Sequence, residues 1–194
     1  MEKKHDIMLI LEGTYPFNSG GVSTWAHMLC NDVKNANFSL YSINASFEQK
    51  PKFELSDNVK DVIQVPLWSP LEPQEMINYG KKYHDIVFVK EKNDEAQIKE
   101  KFIPIFRRLI TSIYSDTRKV EDFDDIMFKM WKYFQKHDYK KTMLNIEVWN
   151  TFCSLVKDII SKDNEEASLY DLTLGMRWIY RFLIPISIDV PITK

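Results

Sequence analysis

Cysteine is scarce. Cys30 and Cys153 are the only two in 194 residues. Each sits alone in a helical pattern, without the short paired spacing of a zinc site, so both read as reduced core thiols rather than as a disulfide or metal pair. His5, His84 and His137 likewise make no metal spacing with Cys, Asp or Glu. A long apolar run is also missing. Ile7–Leu11 is far shorter than the ~20 residues that cross a bilayer, and Arg181, Pro185 and Asp189 interrupt the stretch from Trp178 to Val190. Lys3 and Lys4 are followed by only five apolar residues and no small-residue cleavage site, which is not the pattern of a signal peptide. The expectation is a soluble, cytoplasmic chain. Nor is there an excess of charge of one sign. With 26 basic and 28 acidic residues, the net charge of −2 creates no large positive field, so nucleic acid is not an expected partner.

What remains is ample for a core, with 44% hydrophobic and 13% aromatic residues. A chain of this length buries roughly two-thirds of its unfolded surface. One cooperative domain with a helical appendage is the default. Ile7–Leu11 is continuously apolar, as in a parallel strand covered on both faces, and a central position is expected for it. Val22, Trp25, Ala26, Leu29 and Val33 then repeat at helical spacing. Phe38–Ile43 and Val59–Val65 follow as strands. Strand, helix, strand in this order implies a right-handed crossover and a parallel sheet. The fold class is therefore α/β, a Rossmann-like sheet.

From about residue 98 to 183 the periodicity is helical. One face comprises Ile98, Phe102, Ile105, Phe106, Leu109, Ile110 and Ile113, with Pro104 starting or kinking that helix. A second comprises Phe123, Ile126, Met127, Met130, Trp131 and Phe134, and a third Leu144, Val148, Phe152, Leu155, Val156 and Ile159. The acidic run Glu121, Asp122, Asp124 and Asp125 lacks the central glycine of a calcium loop and suits a helix N-terminus instead. Ser168 and Asp171 resemble a capping box for a helix through about Leu183, which Pro185 should stop. Ile186, Ile188 and Val190 then alternate like a new strand. Ile86–Val89 fits either helix or strand.

The segment that bears on chemistry is Glu12–Trp25, between the first strand and the first helix. Ligands of open α/β sheets bind outside the carboxyl ends of the strands. A helix N-terminus there offers unpaired N–H groups suited to phosphate, and Gly20-Gly21 lets a ligand approach the backbone closely. The same pair also serves as an ordinary tight turn. No Gly-Lys-Ser/Thr follows, and the third glycine of a dinucleotide fingerprint is absent.

Glu12, Gly13, Thr14, Tyr15, Pro16, Gly20, Gly21, Val22, Ser23, Trp25, His27 and Leu29 together form a long, irregular signature that resembles the PelF-type glycosyltransferases of retaining family 4. Phe17 and Thr24 stand where that signature has tyrosine and serine. The resemblance covers about 18 residues closely, and it implies the N-terminal half of a two-domain GT-B enzyme. Such an enzyme transfers hexose, with UDP-glucose the implied donor, to a glycan acceptor in exopolysaccharide biosynthesis, beside membrane-bound synthase subunits. A C-terminal domain would hold the nucleotide, and neither a metal nor a cofactor is implied. The candidate donor- or acceptor-binding residues are Gly20, Gly21, Glu12, Tyr15, Ser19 and His27. Glu12 either hydrogen-bonds sugar hydroxyls or holds the loop. Tyr15 either stacks on an acceptor or packs on its own domain. Ser19 or Ser23 caps the helix, Trp25 falls on the core face, and His27 lies off it. A rival reading is a non-catalytic interaction module of a polysaccharide synthase complex, docking through its helices.

Overall fold

The computed structural model describes residues 5–46, 49–69, 94–114, 120–161 and 166–187. The chain divides into two compact units, Met1–Pro70 with Val190–Lys194, and Leu71–Asp189.

The first unit is built on β1 (His5–Glu12), α1 (Gly21–Asp32), β2 (Ala36–Ile43) and β3 (Val59–Val65). The strands form a parallel sheet in the order β1-β2-β3, with Leu9 opposite Leu40 and Leu40 opposite Val62. The expected parallel α/β unit is present. Among the described residues, however, β1 pairs on one side only, so β2 rather than β1 is the inner strand. Ile10 is 68% exposed, and Ile7 and Met8 are exposed beside it.

Ala36, Phe38, Leu40 and Ser42 of β2 point to the buried face, as period-2 alternation requires. Burying Phe38 and Leu40 contributes about 1.5–3 kcal/mol each. Against them lie Leu11, Tyr15, Ala26 and Cys30. The phase of α1 differs from the apolar pattern. Ser23, Ala26 and Cys30 face the core, while Val22 and Trp25 are exposed, Trp25 at 57%. The small side chains let the helix lie close to the sheet. Ser23 can be buried because its hydroxyl donates to the Asn18 carbonyl.

In the second unit, a single helical turn α2 (Glu95–Gln97) runs through a wide π turn (Ile98–Phe102) into α3 (Ile103–Ile113). The Asp94 carboxylate caps α2 by accepting from the Gln97 N–H, and Pro104 lies just after the π turn, whose wider winding accommodates a residue without an N–H in an otherwise continuous helical path. The helices α4 (Val120–Lys136), α5 (Tyr139–Met143), α6 (Ile146–Ile160) and α7 (Leu169–Ser187) follow. Phe102, Phe106, Tyr133 and Phe134 form an aromatic core with ring centroids 5.0–5.7 Å apart. Asp125, near the start of α4, pairs with Arg108 of α3 at 2.8 Å and with Lys129 at 2.7 Å.

The capping box at α7 is formed. Ser168 N–H and hydroxyl both donate to Asp171 Oδ2, and the Asp171 N–H donates back to the Ser168 hydroxyl. The helix does not stop at Pro185, which lies inside it, and continues to Ser187. Pro185 costs the last turn the bond that an N–H there would give the Arg181 carbonyl, and the Ser187 hydroxyl satisfies the Ile184 carbonyl, one of those left open at a helix C-terminus, at 2.8 Å. Ile186 is therefore helical. Ile188 and Val190 lie outside the described residues, as does Ile86–Val89. Both cysteines are free thiols, and burial raises the pKa of each. Among the described residues no helix is long and apolar enough to cross a membrane.

Candidate functional site

Strand β1 ends at Glu12, and Gly13 turns the chain through the left-handed region with φ 62°. That conformation costs a residue with a Cβ roughly 1–2 kcal/mol. The Gly13 N–H donates to the Ile43 carbonyl at 2.7 Å, and the Asn18 side-chain amide closes the loop on the Gly13 carbonyl at 2.6 Å. Phe17 and Asn18 N–H groups both donate to the Thr14 carbonyl, at 2.8 and 2.7 Å. The Tyr15–Pro16 peptide is cis. Tyr15, Pro16 and Phe17 are buried, and Lys52 N–H donates to the Pro16 carbonyl at 2.8 Å. The middle of the loop is thus anchored in the core, and its second half, Asn18 to Gly21, is left exposed.

That exposed half leads into the N-terminus of α1. Gly20 is the N-cap, with φ 156° and ψ 171°, and no side chain caps the helix. Neither Ser19 nor Ser23 does so, contrary to the sequence expectation. The Asn18 carbonyl takes the Ser23 hydroxyl, and the Gly20 carbonyl accepts the Thr24 N–H at 2.9 Å and the Thr24 hydroxyl at 3.1 Å. The first-turn N–H groups of Gly21, Val22 and Ser23 find no acceptor among the described residues. Aligned free donors at a helix N-terminus attract an anion. A Cβ built on Gly21 meets nothing within 4 Å, so the space in front of this turn is open.

The carboxyl ends of the three strands are knitted into one rim. Besides the Gly13–Ile43 bond, the Asn44 N–H donates to the Val65 carbonyl at 2.7 Å, and the Trp68 N–H donates to the Asn44 carbonyl at 3.1 Å. Trp68 then reaches back across the end of β2, and its indole N–H donates to Glu12 Oε1 at 3.1 Å. Asn44 beneath is buried, accepting from the Ser42 hydroxyl and donating to Gln64 Oε1, both at 3.4 Å.

Of the residues named from sequence, Glu12, Ser19, Gly20 and Gly21 are exposed on this rim or on the loop above it. Tyr15 and His27 are not. Tyr15 is 0% exposed, its ring packed on His27 and Phe53 at 5.8 and 5.4 Å, and its hydroxyl 3.4 Å from His27 Nδ1. Burial, with a smaller contribution from Cys30, pushes the Tyr15 phenol up to about 12. His27 borders a polar concavity of about 590 Å³ with Asn31, Lys34, Asn58 and Lys60. These residues cluster where α1 ends and β3 begins, at the opposite end of the strands from the Gly20-Gly21 loop. Sequence reasoning missed Trp68. The available signal was a tryptophan in the turn right after a strand-ending Pro66.

A sequence profile described as a domain of unknown function, DUF3492, matches residues 5–194. The chain belongs to the DUF3492 family. Searches of curated proteins and of solved structures returned no match. The DUF3492 domain thus presents three things on one sheet edge: an uncapped helix N-terminus, an exposed carboxylate and a pinned tryptophan. The first suits an anion, and the other two suit hydroxyl-rich, uncharged matter.

Proposed function

We propose that this DUF3492 chain is the N-terminal, acceptor-side half of a retaining sugar-nucleotide-dependent glycosyltransferase, a PelF-type enzyme of family 4. It would transfer hexose from UDP-glucose to a growing exopolysaccharide at the cytoplasmic side of a synthase complex. The observation that carries the reading is the open, uncapped first turn at Gly20-Gly21, placed at the carboxyl edge of a parallel sheet. The irregular loop signature adds to it. In the reaction the bond between the sugar's anomeric carbon and the diphosphate breaks, a glycan hydroxyl forms the new bond and gives up its proton to the departing diphosphate, and UDP leaves. The N–H groups of the first turn stabilise the charge that develops on the leaving diphosphate, while a second domain binds the nucleotide.

The test is UDP release and glycan labelling by the intact protein with UDP-glucose. Gly21→Ala should lower turnover by about tenfold or more, because a methyl group projects into the space where a phosphate approaches. Stability should change by no more than about 1 kcal/mol, since Gly21 carries no positive φ and its Cβ site is empty. Unchanged turnover in Gly21→Ala would reduce the loop to a turn. A second reading, the interaction module, is favoured by a different observation. Tyr170, Leu174, Trp178 and Phe182 are exposed at i+4 spacing on α7, an apolar stripe on one helix face. Co-purification of a synthase subunit, lost in Trp178→Glu, would support it.

A further inference from the structure

The tryptophan at the rim is held in an unusual way. Leu67 N–H donates to the Val65 carbonyl at 2.8 Å, Ser69 N–H to the Pro66 carbonyl at 3.0 Å, and Trp68 N–H to Asn44 at 3.1 Å, so the backbone on both sides of the ring is fixed. Pro66 and Ser69 are buried, yet the Trp68 side chain between them is 50% exposed. An indole has a single polar atom, its N–H. Here that atom is occupied by Glu12, and what remains to face solvent is apolar ring. A tryptophan exposed by accident would leave its N–H to water and its ring free to turn.

Glu12 carries the complementary half. Oε1 accepts from Trp68, and Oε2 has no partner among the described residues. A carboxylate accepts hydrogen bonds only, so the free oxygen is matched to a hydroxyl donor. A pyranose offers both surfaces at once: a face of C–H groups, weakly positive, that lies against the negative face of an aromatic ring, and equatorial hydroxyls at its edge. Charge decides between a sugar and a nucleotide. The fixed negative charge of Glu12 repels a diphosphate, which has the free N–H groups of Gly21 to Ser23 to go to instead.

We infer that Trp68 and Glu12 form a glycan-binding platform, with the indole as stacking surface and the carboxylate as hydroxyl acceptor, for an uncharged pyranose chain. As the acceptor subsite of the proposed transferase this rests on that reading; as a glycan site it stands on the geometry alone. Pinning the ring before the ligand arrives removes part of the ordering cost that weakens most carbohydrate contacts.

The experiment uses the intact protein, ¹⁵N-labelled, with maltohexaose, cellohexaose and chitohexaose as probes. The Trp68 indole Nε1–H signal is assigned by its loss in Trp68→Phe. At least one hexasaccharide should move the Trp68 signal saturably at millimolar concentration, while UDP alone leaves it in place. Saturation transfer from protein to that hexasaccharide should fall at least tenfold in Trp68→Ala and about three- to tenfold in Glu12→Gln. Trp68→Phe, which keeps an aromatic face but loses the pin, should lie between wild type and Trp68→Ala. A Trp68 signal unmoved by all three probes overturns the inference, as does one moved only by UDP, or saturation transfer undiminished in Trp68→Ala. UDP-glucose turnover measured on the same sample separates the two proposals. Turnover without glycan response at Trp68 removes the platform and leaves the transferase, whereas glycan response without turnover removes the transferase and leaves a carbohydrate-binding site.

Discussion

Tyr15 illustrates how a residue in an irregular loop signature can do its work by packing. It lies in the loop, yet its ring fills the space between α1 and the segment around Phe53. Its phenol titrates near 12 because burial disfavours the charged form. An unfolded tyrosine titrates near 10, so the unfolded state loses its proton first as pH rises. The stability that depends on this proton is complete below pH 10 and is lost as pH rises towards 12. Tyr15→Phe should therefore flatten the decline in urea-unfolding stability between pH 10 and 12. Its cost at pH 7 should be no more than about 1 kcal/mol, since the bond to His27 is long at 3.4 Å. An unchanged alkaline slope in the variant would show that another group controls it. Gly21 and Trp68 are the opposite case, with open space before them and little packing to lose.

At the scale of elements, the strands were legible because alternation and unbroken apolar runs leave few alternatives. Val59–Val65 falls where the sequence places it, and the helical faces of Phe102, Phe106 and Leu109, or of Val148, Phe152 and Val156, are buried as their spacing implies, whereas Leu144, counted with the latter, lies before α6 and is 47% exposed. What was not legible depends on partners that periodicity does not encode. The core face of α1 is set by small residues, Ser23, Ala26 and Cys30, and by a hydroxyl that finds a loop carbonyl. The exposed Trp25 outweighed them in any hydrophobic count. Trp68 stayed hidden because its significance lies in Glu12, 56 positions away. Helix contacts also make a prediction. A Cβ on Gly175 of α7 would come within 3.2 Å of Phe152 Cζ on α6. Gly175→Val should destabilise by about 1–3 kcal/mol through overpacking. Gly175→Ala gains up to about 1 kcal/mol of helix propensity against a smaller clash and should stay near wild type. Urea midpoints at constant slope decide it, and a stable Val variant would mean that the helices separate freely.

For the whole molecule, charge supplies the testable consequence. Asp171 is held below the ordinary carboxylate range by hydrogen bonds from Ser168, and Asp125 by hydrogen bonds from Lys129 and then Arg108. A folded pKa below the unfolded one contributes stability that is present above the unfolded value, near pH 4, and lost as pH falls through the folded one. Ser168→Ala removes the larger cause at Asp171, the hydroxyl bond, and leaves the backbone N–H bond, so its stability should fall less steeply than wild type below about pH 4. Equal slopes by urea unfolding would remove Asp171 from the account. With a net charge of −2 and an isoelectric point near 6.1, the protein should cause no mobility shift of duplex DNA even at 50 mM salt. A shift that weakens with added salt would reveal a basic patch that the totals conceal.

The three strand ends are joined by main-chain bonds, Gly13 to Ile43, Asn44 to Val65 and Trp68 to Asn44, which do not depend on the side-chain bond between Trp68 and Glu12. The frame of the rim is thus indifferent to what positions 12 and 68 carry. Exchange of those two residues alters what the edge recognises without reopening the fold. A library randomised at both positions should return mostly folded proteins with divergent glycan preferences, so this edge is a place where new specificity is cheap to evolve.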